Sequence, residues 1–191
     1  TGIGAIASTT NQGANWTTNS TGTTNKLNGG FKRNIVGENG VILNNLSAIY
    51  STCSWQYFNA APWGGGPVNG ESFTSVFFTD VNTGYAVGNK NTTTYVGVVY
   101  KTTNGGQDWN LQSSFFNKFL LSSFFTDMNN GYIVGEKGLI LKTTNAGTNW
   151  VVKPSGTTKD LLSVSFSGAN NGYIVGESGI TLKTIDAGNS W

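Results

Sequence analysis

The chain has 191 residues, 27 of them glycine, with 13% aromatic and only 10% charged side chains, so its surface must be solvated largely by hydroxyls and amides. The formal net charge is +2, and neither Arg33, the one arginine, nor the scattered lysines form a basic run, which argues against nucleic acid as a partner. No histidine is present, Cys53 is the only cysteine and no apolar run approaches the roughly 18 residues of a spanning helix, which excludes His-based triads, His metal sites, an intrachain disulfide and direct membrane insertion by a helix.

In chain order, the opening stretch Gly2 to Trp16 (GIGAIASTTNQGANW) is half of a unit that recurs downstream. A worn copy runs from about Arg33 to Trp55 and a looser one from Gly84 to Trp109. Gly131–Trp150 (GYIVGEKGLILKTTNAGTNW) and Gly172–Trp191 (GYIVGESGITLKTIDAGNSW) are sisters offset by 41 residues. A period of this size marks a stacked or radial repeat, in which no single unit buries its apolar face alone. In the last unit the apolar runs Leu161–Phe166, Tyr173–Val175 and Ile180–Leu182 are short and bounded by Gly, Asn or Ser, which predicts strands rather than helices. A fourth strand starts at the tryptophan, as in Trp150–Val152, so each unit is a four-stranded antiparallel meander with strands A to D.

Turn chemistry fixes the register. AsnAsnGly at 129–131 and 170–172 suits the A–B connection, and GluLysGly or GluSerGly at 136–138 and 177–179 suits a tight B–C hairpin. A turn centred on Lys137 places Tyr132 opposite Lys142, and one centred on Ser178 places Tyr173 opposite Lys183. In the worn copy the turn centres on Asn39 and pairs Asn34 with Asn44, so both partners have changed together.

The C–D connection has the form Thr-x-Asn/Asp-x-Gly-x-x-Trp four times, through Asn11, Gly13 and Trp16; Asn104, Gly106 and Trp109; Asn145, Gly147 and Trp150; and Asp186, Gly188 and Trp191. The Asn or Asp side chain can tie down turn amides, glycine accepts a positive φ, and the tryptophans, Trp55 included, are expected to plug the space between neighbouring sheets. This form is similar to the Asp-box of BNR-type β-propellers. With GY-x-VG-x-x-G-x-I/L-x-KTT upstream, it more closely resembles the repeats of the photosystem II stability and assembly factor family, also found in secreted bacterial proteins. The resemblance covers nearly the whole chain and implies an all-β β-propeller of four-stranded antiparallel blades.

About five blades are represented, with portions at 1–20, 25–59, 72–113, 119–153 and 161–191, in a single propeller domain or propeller segment covering 1–191. The first and last are incomplete, which leaves open a fragment of a larger ring, strands supplied by a neighbouring chain, or an open arc; simple closure gives five blades, and the resemblance implies a ring of more, near seven. The second blade is expected to be the least regular, because Tyr50 stands where Asn or Asp belongs. Insertions at 59–71 (D–A) and 90–95 (B–C) are predicted to emerge side by side on one face, opposite the Asp-boxes.

That loop face holds the candidate ligand-binding residues: Trp63, flanked by Gly and Pro, Tyr95, and Glu38, Asn89, Glu136 and Glu177 at equivalent positions. The competing reading is that Trp63 packs its own loop and that the glutamates solvate hairpin turns. No catalytic residues, cofactor or metal are expected. A glycosidase needs two carboxyls about 5–10 Å apart with one pKa raised, a sialidase-like site needs an arginine cluster, and repeated equivalent glutamates are repeat grammar. The favoured reading is a noncatalytic, secreted or cell-surface propeller that binds protein or glycan as a scaffold. Alternatives are a homo-oligomer or fibre built through open blade edges, a photosystem assembly chaperone as the resemblance implies, and a fragment of a glycoside hydrolase propeller. Asn15, Asn19, Asn45 and Asn91 lie in N-glycosylation sequons.

Overall fold

A computed structural model describes residues 5–8, 11–31, 34–39, 41–45, 55–59, 71–90 and 95–191. Within them lie five antiparallel sheets and two single 3-10 turns. The first sheet is β1 (Ala5–Ser8) with β2 (Thr17–Ser20). The second is β3 (Leu27–Phe31), β4 (Asn34–Gly37), β5 (Val41–Asn45) and β6 (Trp55–Asn59). The third is β7 (Glu71–Phe78), β8 (Gly84–Lys90), β9 (Val96–Thr102) and β10 (Asn110–Phe116). The fourth is β11 (Leu120–Phe125), β12 (Gly131–Gly135), β13 (Ile140–Thr143) and β14 (Val151–Lys153). The last is β15 (Leu161–Phe166), β16 (Gly172–Gly176) and β17 (Thr181–Thr184). In every sheet the strands pair in chain order, the meander expected of the repeat. The first strands pack side by side, β3 on β7, β7 on β11 and β11 on β15, so the sheets succeed one another like blades.

The hairpin register is the one the turns dictate. Tyr132 pairs with Lys142, Tyr173 with Lys183 and Asn34 with Asn44. The turn centres Asn39, Lys137 and Ser178 all take the left-handed conformation, with φ of 55°, 54° and 57°. Lys142 Nζ lies 5.9 Å from the Tyr132 ring centroid and Lys183 Nζ 5.8 Å from that of Tyr173; Lys101 over Tyr85 repeats the arrangement at 5.4 Å. Each contact is worth about 0.5–1 kcal/mol.

One glycine of the motif is explained by close approach. At Gly37, Gly88, Gly135 and Gly176 of the second strands, the first strand is bulged just past the residue paired with the glycine, and the carbonyl just before that residue lies against the glycine. A Cβ there would overlap Lys26 O, Ser72 O, Phe119 O or Asp160 O respectively. No side chain fits, so the repeat reads V-G at this point.

Hydrophobic clusters fill the spaces between the second and third, third and fourth, and fourth and fifth sheets. Each is closed by a phenylalanine ending the first strand of one sheet and a tryptophan from the turn of that same sheet: Phe78 with Trp109, Phe125 with Trp150, and Phe166 with Trp191, edge to face at 5.8, 6.1 and 5.9 Å. Phe125 also stacks on Tyr85 of the preceding sheet at 4.0 Å, and Phe166 on Tyr132 at 4.2 Å. Trp16 departs from the expected packing role: Trp109 is 2% exposed, whereas Trp16 is 62% exposed. The reason is positional. These tryptophans pack toward the preceding sheet, and among the described residues the first sheet has none on that side. Trp55 lies in β6, whose side chains fall outside the described set.

Candidate functional site

The two ends of the sheets differ in what their polar groups do. At one end lie the C–D turns. Thr143 Oγ1 accepts the amides of Asn145 and Gly147 and donates to Asn145 Oδ1, which in turn accepts the Asn149 amide at 2.9 Å. Thr102, Asn104, Gly106 and Asp108 repeat this network, as do Thr184, Asp186, Gly188 and Ser190. Asn11 Oδ1 accepts the Asn15 amide at 2.9 Å in the first turn. Asp186 gains the Ser190 hydroxyl and amide, the Thr184 hydroxyl and the Asn189 amide, which hold its carboxyl far below the ordinary range.

The turns also latch one sheet to the next. Gly147 and Gly188, at φ of 77° and 70°, sit against the rings of Tyr85 and Tyr132. The Tyr85 hydroxyl donates to Ala146 O at 2.9 Å and the Tyr132 hydroxyl to Ala187 O at 2.6 Å, while Lys101 donates to Ala146 O and Lys142 to Asn189 Oδ1. Burial pushes both tyrosine hydroxyls up to about 12, with Asp80 adding to it at Tyr85 and Asp127 and Asp186 at Tyr132. The polar groups of this end are thus spent on the fold.

At the other end the B–C and D–A connections come together, hydrogen bond by hydrogen bond. The amide of Glu38 donates to Lys26 O, that of Glu136 to Phe119 O and that of Glu177 to Asp160 O. Lys137 N donates to Asp160 Oδ1 at 2.9 Å, so each B–C turn is braced by the D–A segment beside it. Glu38 and Glu136 are half-buried and Glu177 is exposed. Burial raises the Glu136 carboxyl, Asp160 and Glu177 raise it further, and Lys137 partly offsets them. These three carboxylates therefore share one stretch of the rim.

Asn89 stands in the same repeat slot as the glutamates but is withdrawn from the ligand-binding set. It is 6% exposed, its Nδ2 donates to Leu120 O and its Oδ1 accepts the Leu120 amide at 2.8 Å, so both polar atoms join β8 to β11. Tyr95 is 53% exposed and leans on Phe119 at 4.6 Å between centroids. Phe119 is a neighbour of Tyr95 that the sequence reading did not single out. Its signal was available: the residue just before the one paired with the motif glycine is Lys26, Ser72 or Asp160 in the other units and aromatic only here. Trp63, Asn91 and nearly all of both insertions lie outside the described residues. Asn15 is exposed in its turn, and Asn19 and Asn45 lie in β2 and β5.

Glu71, at the start of β7, was also missed. It is 2% exposed; Tyr100 Oη donates to its Oε1 at 2.9 Å, Lys90 Nζ lies 3.9 Å away, and Oε2 has no hydrogen-bond partner among the described residues. Burial raises its carboxyl above the ordinary value, against the pull of Tyr100 and Lys90. Among the described residues no three His, Cys, Asp or Glu side chains gather as metal ligands would.

Residues 114–191 match the family model of the photosynthesis system II assembly factor YCF48. Among solved structures, YCF48 from Cyanidioschyzon merolae has a TM-score of 0.68 at 16% identity, covering 96% of this chain and 62% of that one. A structure of YCF48 bound to a D1 peptide has a TM-score of 0.55 at 24% identity, covering 65% and 40%. An ancestral GH74 enzyme has a TM-score of 0.60 at 17% identity, covering 83% and 22%. No curated protein matches the chain in sequence. The chain spans less than two thirds of the length of each of these structures. The fold is that of an all-β propeller, and its repeats resemble those of the YCF48 family.

Proposed function

We propose that residues 1–191 form a single noncatalytic propeller segment that binds an extended stretch of a partner protein on its loop face. The observation that carries this reading is the pair of exposed Tyr95 and half-buried Phe119 beside the Glu136, Asp160 and Glu177 rim. An aromatic pair offers apolar area at low entropic cost. Glu136, raised by burial and by the neighbouring Asp160 and Glu177, favours a cation, so the stretch that fits carries Lys or Arg next to an apolar side chain. A YCF48 structure holding a D1 peptide supports a polypeptide as the partner class. A secreted or cell-surface location belongs to the same proposal, supported by the low charge and the exposed sequon at Asn15.

The test is selection from a random-peptide phage library, with the D1 peptide as a defined probe and a glycan array beside it. Peptides rich in basic and apolar residues should emerge, and Tyr95→Ala or Phe119→Ala should weaken them about tenfold, the loss of one partly exposed aromatic contact, with unchanged melting temperature. Selected peptides indifferent to both substitutions, or ligands found only among glycans, would overturn it.

A further inference from the structure

The third sheet breaks the repeat at three positions that act together. The second and third strands of the other sheets pair isoleucine with leucine, Ile35 with Leu43, Ile133 with Leu141 and Ile174 with Leu182, whereas this sheet pairs Ala86 with Tyr100. Two residues before the partner of the motif glycine the other units carry Asn25, Lys118 or Lys159, and this one carries Glu71. Tyr100, 4% exposed, packs edge to face on Phe73 at 5.6 Å and donates its hydroxyl to Glu71 Oε1 at 2.9 Å, and the small Ala86 opposite leaves the volume that its ring takes. Placing a carboxyl and a phenol where aliphatic packing serves elsewhere costs stability, since the other sheets build the same meander without them. Departures of this kind concentrate at functional sites.

The Glu71 carboxylate is also incompletely bonded. Its Oε2 is buried with no hydrogen-bond partner among the described residues, and Lys90 Nζ, 3.9 Å from Oε1, is too distant to donate a hydrogen bond. Lys90, its side chain 44% exposed, reaches the carboxylate from solvent along the row Glu71, Lys90, Val96 at the loop end of the sheet. Tyr95 of the aromatic pair is the chain neighbour of Val96.

We propose that Glu71 is an arginine-anchoring site, at which a guanidinium on the partner's extended stretch displaces Lys90 and donates to both oxygens of the carboxylate. This deepens the loop-face reading and rests on it for the partner. A guanidinium is flat and offers two parallel N–H groups to the two oxygens, whereas an ammonium is a point charge. Oε1 keeps a lone pair beside the one that the Tyr100 hydroxyl uses. The guanidinium is also the more weakly hydrated cation, so it loses less on entering a site beside the core of Phe73, Val98 and Tyr100.

The probes are N-acetylarginine amide and N-acetyllysine amide, titrated near neutral pH into the 191-residue chain while the ring resonances of Tyr100 are followed by NMR. The arginine probe should move Tyr100 with a Kd on the order of millimolar, about tenfold tighter than the lysine probe. Lys90→Met, which removes the resident cation, should tighten arginine binding severalfold. Lys90→Arg, which puts a guanidinium on the chain itself, should abolish it, as should Glu71→Gln, with unmoved Tyr132 resonances in the fourth sheet as the check of folding. Equal response to both probes, a Tyr100 resonance that arginine leaves in place, or binding that survives Lys90→Arg overturns the proposal. Peptides selected on the loop face should lose about tenfold when arginine is replaced by lysine. Peptides that need Tyr95 and Phe119 yet ignore that exchange overturn the arginine site and leave the loop-face reading standing. Arginine binding at Glu71 with no peptide selected upholds the site and overturns the loop-face reading.

Discussion

If the sheets are joined through the aromatic stack, Tyr85 and Phe125 must be energetically coupled and not merely buried side by side. The perturbation is a double-mutant cycle of Tyr85→Leu, Phe125→Leu and both. Phe125 is 3% exposed and lies 4.0 Å from the Tyr85 ring, 16° from parallel. Phe125→Leu keeps most of the apolar volume and should cost up to about 1.5 kcal/mol. Tyr85→Leu also removes the hydroxyl that donates to Ala146 O at 2.9 Å, adding about 1 kcal/mol for that bond. The aromatic pair itself contributes about 0.5–1.5 kcal/mol beyond area burial, so the double variant should be less destabilised than the sum of the singles by that amount. Urea unfolding of the four proteins measures it, with an unchanged m-value as the check that one transition is being compared. Additivity within about 0.3 kcal/mol would refute the stack as a joining element and leave only apolar burial there.

Two further outcomes follow from buried polar groups. Asn89→Ala should destabilise by about 2–3 kcal/mol, because the Leu120 amide loses its acceptor in a buried site, while peptide binding per folded molecule stays at parent level. A loss confined to binding, with stability intact, would return Asn89 to the ligand-binding set. Glu71→Gln should flatten the pH dependence of stability. A carboxyl raised by burial above 4.5 favours folding while protonated, so stability is full below that value and falls as pH rises through the raised one. The variant should therefore gain on the parent as pH climbs from 4.5 toward neutrality, read as a widening difference in melting temperature. Parallel curves would mean that Tyr100 and Lys90 cancel the burial, and a variant that loses on the parent as pH climbs would mean that they outweigh it.

What was legible in the sequence was whatever the repeat states several times. The meander, the Tyr–Lys register and the left-handed turn centres at Asn39, Lys137 and Ser178 each follow from local chemistry written two or more times. What escaped was fixed by contacts between units. Trp16 closes the same Asn-x-Gly-x-x-Trp motif as Trp109, yet it is exposed, since among the described residues no sheet packs against that side of the first. The close approach at Gly135 was hidden within a single sheet: Phe119 O lies against it beside a bulge in β11, and only the glycine in β12 is visible in the motif.

The repeat slot that follows this glycine shows why the candidate site was harder to read than the fold. Glu38, Asn89, Glu136 and Glu177 occupy it in successive units, and sequence equivalence treats them alike. In the third unit β8 and β9 run on past the slot, the side chain is enclosed by β11, and an amide able both to donate and to accept satisfies the two backbone groups of Leu120. A carboxylate would face Leu120 O with no proton to offer. In the fourth and fifth units the hairpin turns at once, the slot reaches the rim, and a carboxylate stays solvated or waits for a cation. The length of one hairpin thus decides whether the same position serves the fold or the surface, and the proposed binding face lies where the units differ.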